Sequence, residues 1–357
     1  MYDSIEFVVD TITDLTDLCC QGEYSRKRVK LKAKSWHRIG VWMLGIMFLG
    51  SVAGMAQDPE LSQFYANPLY MNPAMAGVEG PPKIYLGYRN HITGAGRPYS
   101  TYHASYDQYL EPVQGGIGVH VINDRLGGGV FNTVSLDAIY AYHLKVTRQL
   151  TVTGGFQASV GQRNLNSSGL ILPGMLDNPD MSAPTGYSRV YPDFALGLGA
   201  FYKNFYGGVA CHHLVQPYMS PSKDPNTRLL RKYTLHVGAL FPVYEKDMGR
   251  EVLQLSPNLI FQQQDIYQQI NYGLEVLFKS LLGGVWFRQD LSFSYGTLVF
   301  SVGYARDQYR FRYSYDARLS SPDKRVPSMG SHEISLVVIF ENLYKSTKRR
   351  AIKSPKI

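Results

Sequence analysis

The residues whose types could do chemistry are histidines, one Ser-His-acid run and one glycine-rich turn. His103, His143, His212, His213, His236 and His332 match neither the HExxH zinc pattern nor a Cys/His ligand set. They read as structural or interfacial side chains. His212 and His213 adjoin on an expected strand, which sends their side chains to opposite faces and keeps them from holding one ion. Ser331-His332-Glu333 carries the types of a nucleophile, a base and an acid. Consecutive strand residues alternate faces, so these three cannot assemble a triad by themselves, and the chain has no GxSxG elbow. Asp124-Arg125-Leu126-Gly127-Gly128-Gly129 looks like a phosphate loop in composition, but no helix follows whose N-terminus could hold an anion. It reads as a glycine-permitted hairpin. No catalytic residue, metal site or cofactor is expected, and the chain is not expected to be an enzyme.

The elements that position these residues are strands. Fourteen are expected, at about 84–92, 99–110, 115–123, 131–145, 149–163, 193–203, 205–214, 232–244, 252–263, 267–279, 282–290, 294–306, 309–319 and 331–342. Most have the length of a tilted membrane strand. An even number lets antiparallel strands close without an edge, as a bilayer demands. Alternation is explicit in three of them. Val134, Leu136, Ala138, Tyr140, Tyr142 and Leu144 oppose Thr133, Ser135, Asp137, His143 and Lys145. Phe311, Tyr313 and Tyr315 oppose Arg310, Arg312, Ser314 and Asp316. Ile334, Leu336, Val338 and Phe340 oppose Glu333, Ser335 and Glu341, with Val337 and Ile339 on that second face. Charge confined to one face means a polar lumen, because Arg or Lys on the lipid face near the midplane costs about 2–4 kcal/mol.

A soluble β-sandwich also alternates, but its inner face is aliphatic. Here aromatics are 13% of residues and glycines number 34, a composition suited to aromatic girdles at two water interfaces. The expected fold is therefore all-β: a transmembrane antiparallel β-barrel of about 14 strands with an N-terminal plug-like segment. Loop lengths agree, since the connections Asn164–Pro192, Val215–Arg231 and Ser320–Gly330 are long and follow odd-numbered strands. Lys145–Arg148 and Asp307–Gln308, after even-numbered ones, are tight. The first set is expected outside the cell and the second in the periplasm.

The ends explain how such a barrel is exported. Lys30, Lys32, Lys34 and Arg38 precede the apolar run Val41–Gly50, and Gly54 and Ala56 supply small residues at the −3 and −1 positions. This pattern is a secretory signal at 29–56 with cleavage after Ala56. Its apolar stretch of about 14 residues is too short to span a bilayer permanently. Residues 1–28 do not fit a signal peptide and are expected to be an extension from a misassigned start, with Val29 as the alternative that N-terminal sequencing tests. Seven of the 36 Lys+Arg and six of the 28 Asp+Glu precede residue 57, so the mature chain carries +7. Much of that charge sits in a basic tail at 343–357, expected in the periplasm. Exported, the chain is not expected to bind nucleic acid. Cys211 is the one cysteine after the signal, so the mature chain forms no internal disulfide.

Between signal and barrel, Asp58–Pro82 is punctuated by Asn67-Pro68, Asn72-Pro73 and Pro81-Pro82. With Phe64, Tyr65, Leu69, Tyr70 and Met71 between the breakers, it is too apolar for a free tail. It is expected to tuck into the lumen or seal the periplasmic mouth, either filling the core or serving as a gate or docking surface.

The stretch QDPELSQFYANPLYMNPAMAG at Gln57–Gly77 resembles the opening motif of the PorP/SprF family of type IX secretion system membrane proteins from Bacteroidota. Similar stretches follow at Gly116–Val119, Asn123–Gly127, Ala138–Leu144, Tyr206–Val209 with His213-Leu214, Tyr313–Asp316 and Gly330–Ile334. Tyr88 and His91 depart from the bulk expected of the family. The resemblance implies an outer-membrane barrel working with secretion and gliding machinery. It implies partners in the lipid bilayer, in the periplasmic ring or peptidoglycan-linked lipoproteins, and in a large surface cargo protein. Asp58, Pro59, Phe64, Asn67, Pro68, Tyr70, Asn72, Pro73 and Gly77 are the expected plug or partner-binding residues. Asp124, Gly127, Asp316, Ser331, His332 and Glu333 are motif positions expected in the lumen or loops. The leading expectation is support of cargo export or surface anchoring by protein–protein contact. A passive channel for small solutes is the alternative, and an outer-membrane hydrolase a third.

Overall fold

Strand after strand buries every second residue. In the computed structural model, which describes residues 58–93, 99–167, 185–222, 227–246, 250–291, 296–320 and 328–340, these strands form one antiparallel sheet. The expected extension at 1–28, the signal at 29–56 and the basic tail at 343–357 lie outside the described residues, as do parts of the long outer loops.

The strands are β1 (Lys83–Thr93), β2 (Tyr99–Leu110), β3 (Gly115–Leu126), β4 (Phe131–Lys145), β5 (Leu150–Leu165), β6 (Tyr187–Tyr202), β7 (Phe205–His212) and β8 (Lys232–Ala239). They continue as β9 (Phe241–Lys246), β10 (Arg250–Gln264), β11 (Tyr267–Phe278), β12 (Leu281–Asp290), β13 (Gly296–Ala305), β14 (Tyr309–Ser320) and β15 (Ser328–Ile339). Each pairs with its sequence neighbour except at one place. β10 pairs with β8 through Asn258–Gln264 and with β9 through Arg250–Leu255. β8 and β9 are thus two halves of one stave, interrupted at Leu240, whose amide donates to the Asn204 carbonyl of the β6–β7 turn. β1 pairs with β15 and β10 with β11, so the ring closes as fourteen staves. The expected continuous eighth strand is the one with the break. Pro242 in β9 has no N–H to give, which suits a stave half paired on one side only.

Closure satisfies the backbone where no water can. The alternation follows the expected assignment. In β14 Arg310, Arg312, Ser314 and Asp316 are buried while Phe311 is 46% exposed. In β4 Leu136, Tyr140, Tyr142 and Leu144 face out and Asp137 and His143 face in. In β15 Glu333, Ser335 and Val337 are buried and Ile334 is exposed. The outward row, with Leu196, Leu198, Phe194 and Val302 among others, is the lipid-facing surface such a barrel requires.

One end carries tight turns, including Lys203-Asn204 and Lys279-Ser280, where Lys203 and Lys279 take positive φ. The other carries the long β5–β6 and β7–β8 connections, which makes it the outer end of an outer-membrane barrel. β6 starts at Tyr187, six residues before its expected start, so the first of those loops is shorter than the sequence suggests. Gly127, Gly128 and Gly129 all have positive φ, as the expected β3–β4 hairpin requires. Among the described residues no helix is long and apolar enough to cross a membrane, which says nothing against crossing by strands.

Candidate functional site: the lumen and the segment within it

Proline and asparagine break the segment 58–82 into three short turns. They are a 3-10 turn at Phe64–Ala66, a single helical turn at Pro68–Met71 and a 3-10 turn at Pro73–Met75. Pro68 and Pro73 open the second and third, where a missing N–H costs nothing. Asn72 caps the third, its Oδ1 accepting from the Ala74 amide at 2.9 Å. The segment is buried through most of its length, and its polar atoms meet inward-facing groups of the strands.

Near the middle of the lumen two arginines and two carboxylates from the strands converge. Arg89 Nη2 lies 2.8 Å from Asp316 Oδ2, and Arg89 Nη1 3.0 Å from Glu333 Oε2. Arg288 Nη1 reaches Glu60 at 3.2 Å and Asp316 at 3.4 Å. Ser62 sits in this cluster. Its amide donates to Glu333 Oε2 at 2.6 Å, its hydroxyl donates to Asp316 Oδ2 at 2.6 Å, and Arg89 and Arg288 both donate to that hydroxyl. Gln63 adds its own amide to Glu333 Oε1 at 3.2 Å. Buried charges are tolerable only when paired and fully hydrogen-bonded. Here the backbone of Ser62 and Gln63 supplies part of that satisfaction.

Asn67 occupies a second polar node. Its Nδ2 donates to His103 Nδ1 and to His120 Nε2, each at 3.1 Å. An amide nitrogen only donates, so His120 Nε2 accepts and His120 Nδ1–H donates to Asp137 Oδ2 at 2.7 Å. Asn72 makes a third node, donating to the Leu198 carbonyl at 3.0 Å and lying 3.1 Å from His236 Nε2. The turn after it needs bare backbone opposite. A Cβ on Gly155 would come within 2.3 Å of the Ala74 amide nitrogen, and one on Gly197 within 2.0 Å of Asn72 Oδ1.

The two ends of the segment are held by charge. Toward the outer end, His213 places Nε2 2.9 Å from Asp58 Oδ2 and Nδ1 2.5 Å from Asp193 Oδ2, and Lys232 Nζ lies 3.2 Å from Asp58. Burial alone would lower the His213 pKa, but Asp58 and Asp193 on its two nitrogens raise it to about 9. Burial would raise the Asp58 carboxyl, but His213 and Lys232 hold it well below the usual range. Tyr70 donates to the Pro59 carbonyl at 2.7 Å beneath the Lys232 ammonium. At the periplasmic end Glu79 pairs with Lys83 and Arg310, each at 3.0 Å. Burial there opposes ionisation, yet the two cations lower the Glu79 pKa to about 2. The Gly77 amide, at positive φ, donates to Asp107 Oδ2 at 2.7 Å. Between the ends, Phe64 and Tyr65 pack against Trp286 and Tyr206, with Phe64 and Trp286 ring centroids 5.5 Å apart.

Asp58, Pro59, Phe64, Asn67, Pro68, Tyr70, Asn72, Pro73 and Gly77 thus all lie along this one segment. Asp316 and Glu333 join it from the strands. Asp124 accepts from Thr101 Oγ1 at 2.6 Å and lines the same cavity as Asp58, Pro59 and Tyr70. Gly127 is in the outer hairpin, away from the arginine cluster. Ser331 bonds His91 Nδ1 at 2.5 Å, whereas His332 lies on the outward face against Tyr313, whose hydroxyl is 2.8 Å from its Nδ1. Ser331, His332 and Glu333 are split between faces. His212 and His213 are not. β7 ends at His212, and His213 takes φ +58, so the expected opposition fails and both side chains line one cavity. Glu60, Ser62, Gln63, Arg89 and Arg288 were not singled out from sequence. An arginine on the inward face of a strand made mostly of apolar residues, as in β12, was the available signal. Among the described residues no three His, Cys, Asp or Glu side chains are grouped to hold a metal ion.

The chain is similar to several solved structures at low identity. The CymD monoaromatic hydrocarbon channel is 15% identical with a TM-score of 0.47, over 82% of this chain and 96% of that one. The Pseudomonas putida toluene transporter TodX is 12% identical with a TM-score of 0.44, over 80% and 94%. The Acinetobacter baumannii outer membrane protein Omp33 is 11% identical with a TM-score of 0.41, over 74% and 100%. No curated protein matches the chain. Residues 53–338 match the family described as type IX secretion system membrane protein PorP/SprF. With the match spanning the luminal segment and nearly the whole barrel, the chain belongs to the PorP/SprF family.

Proposed function

We propose that this chain is a structural and interaction subunit of the type IX machinery in the outer membrane, supporting export or surface anchoring of a large cargo protein. In this reading the segment 57–82 is a built-in plug rather than a removable gate. The carrying observation is the arginine cluster, in which Ser62 and Gln63 satisfy charges contributed by β1, β12, β14 and β15. Withdrawing the segment would leave these strand charges paired with one another but without the hydrogen bonds of Ser62 and Gln63, each bond to a charged group being worth about 1.5–3 kcal/mol. The outer loops then face cargo, and the periplasmic turns and basic tail face ring components or peptidoglycan-linked lipoproteins. Export begins with a signal at 29–56 cleaved after Ala56.

The test is deletion of Gln57–Gly77 with the signal retained. Cargo display should be lost while the barrel still inserts, and surface proteomics should show one large protein, or the whole secreted set, missing. Unchanged surface and secreted proteomes, together with steady single-channel currents from the intact protein in a planar bilayer, would instead make it a passive channel.

A further inference from the structure

In the outer half of the lumen, beside Asp58 and Tyr70, lies a cavity of about 150 Å³. Most of the charges around it are matched at close range. Asp58 is paired with Lys232 and His213, Asp193 with His213, and Asp137 accepts from His120 and Ser135. Asp124 and Arg163 also line the cavity, and they attract each other without forming an ion pair among the described residues. Their places in the ladder explain the gap. Asp124 on β3 opposes Thr133 on β4, and Thr133 opposes Arg163 on β5. Two strand spacings of about 4.8 Å set the backbones of Asp124 and Arg163 about 10 Å apart, with Thr133 between them.

All three residues of this row have hydrogen-bonding capacity to spare. Asp124 Oδ1 accepts from Thr101, while Oδ2 has no hydrogen bond among the described residues. The Thr133 hydroxyl makes none there either. Arg163 Nε is buried without a partner, and its Nη1 lies 3.2 Å from Met219 Sδ, a weak acceptor. The row thus offers an acceptor, a group that both donates and accepts, and a donor. A cation at Asp124 would meet the Arg163 guanidinium. An anion at Arg163 would meet Asp58, Asp124, Asp137 and Asp193 on the same cavity wall. A neutral molecule with adjacent hydroxyls avoids both repulsions. One hydroxyl donates to Asp124 and the next accepts from Arg163, and bonds to charged groups are the stronger kind. Beside the row the lining is apolar, with Tyr191, Met219 and Leu229 packed into a cluster. The Tyr191 ring takes the space over Gly161, its partner in the β5–β6 register, where a Cβ would come within 2.5 Å of the ring. A cavity of this size takes one six-membered ring.

We infer that this cavity is a binding site for a neutral sugar ring, its neighbouring hydroxyls held by Asp124, Thr133 and Arg163 and its C–H groups against Tyr191. The ring can be a free monosaccharide or the end of a glycan. The site stands independently of the cargo reading.

The test is calorimetric titration of the full-length protein, in a sugar-free detergent, with D-mannose, D-galactose and D-glucose and with their methyl α-glycosides. Cyclohexanol, a ring of similar size with a single hydroxyl, is the control. At least one sugar should saturate one site, and Asp124→Asn, Thr133→Val and Arg163→Gln should each weaken its binding at least tenfold. A methyl glycoside that binds within threefold of its parent sugar identifies a glycan end as the source, whereas a larger loss identifies a free sugar. Heat-modifiable migration on a gel reports whether each variant is folded, and Thr133→Val carries the test if the two charge variants do not fold. No saturation by any of the sugars, cyclohexanol binding as tightly as the best of them, or full binding by a folded variant overturns the assignment.

Discussion

Arg89 illustrates how much one side chain holds. It bonds two carboxylates on different strands and the Ser62 hydroxyl of the luminal segment. Arg89→Met strands Glu333 without its cation, so unfolding in detergent should show a loss of about 3–5 kcal/mol. A loss under 1 kcal/mol would mean that Arg288 alone neutralises the cluster. His213 makes a pH prediction. Its pKa is raised from 6.5 to about 9, so its hold on Asp58 is fully present below pH 6.5 and lost as pH rises through 9. Glu79 acts in the opposite sense, its contribution present above pH 4.5 and lost as pH falls through 2. The outer end of the segment should therefore loosen in alkali while the periplasmic end stays fixed. Hydrogen exchange at Glu60 and Val78, followed from pH 6 to 10, would show it. Equal exchange at the two positions would dismiss the latch.

At the scale of elements, the fit depends on small residues of the wall facing the turns of the segment. Gly155→Ala puts a Cβ into the backbone of Pro73 and Ala74, where neither atom can yield. Overpacking of this kind costs about 1–3 kcal/mol. The expected result is a barrel that still migrates as folded but whose Asn72–Met75 turn becomes open to protease. A protease pattern like the parent's would show that the turn shifts without leaving. Much of the wall was legible in the sequence. Period-two alternation placed Asp137, Arg310, Arg312, Asp316 and Glu333 on the inner face, because a lipid-facing charge is so costly. The break at Leu240 was not legible, since the apolar pattern runs through it and the cause is the short β6–β7 hairpin beside it. His213 was misplaced for a related reason. Alternation holds only while a strand lasts, and a left-handed residue just past its end turns the side chain back inward. The proline-rich segment announced its turns and its apolar character, but not its partners, which lie up to 272 residues away in sequence.

Taken as a whole, the molecule is inverted relative to a soluble protein. Leu196 and Leu198 are more than half exposed on the outer face, while lysine, arginine, aspartate and glutamate are buried within. Leu196→Arg near the middle of its strand should cost about 2–4 kcal/mol in refolding into lipid vesicles. A cost below 1 kcal/mol would mean that this side of the barrel meets protein or water instead of lipid. The family's opening motif lies in a segment buried against inward-facing strand residues, and it ties residues near 60 to residues near 330. Ser62 waits for Glu333 in the closing strand and Asp58 for Lys232 in β8, so the residues that leave the ribosome early find their partners late, some only when the last stave has joined the first. Loop closure over such separations must precede any reward from the contacts it permits. Assembly of this barrel is therefore a race in which the first part made is the last to be settled. A newly exported chain must keep that apolar stretch from other company until the ring shuts around it.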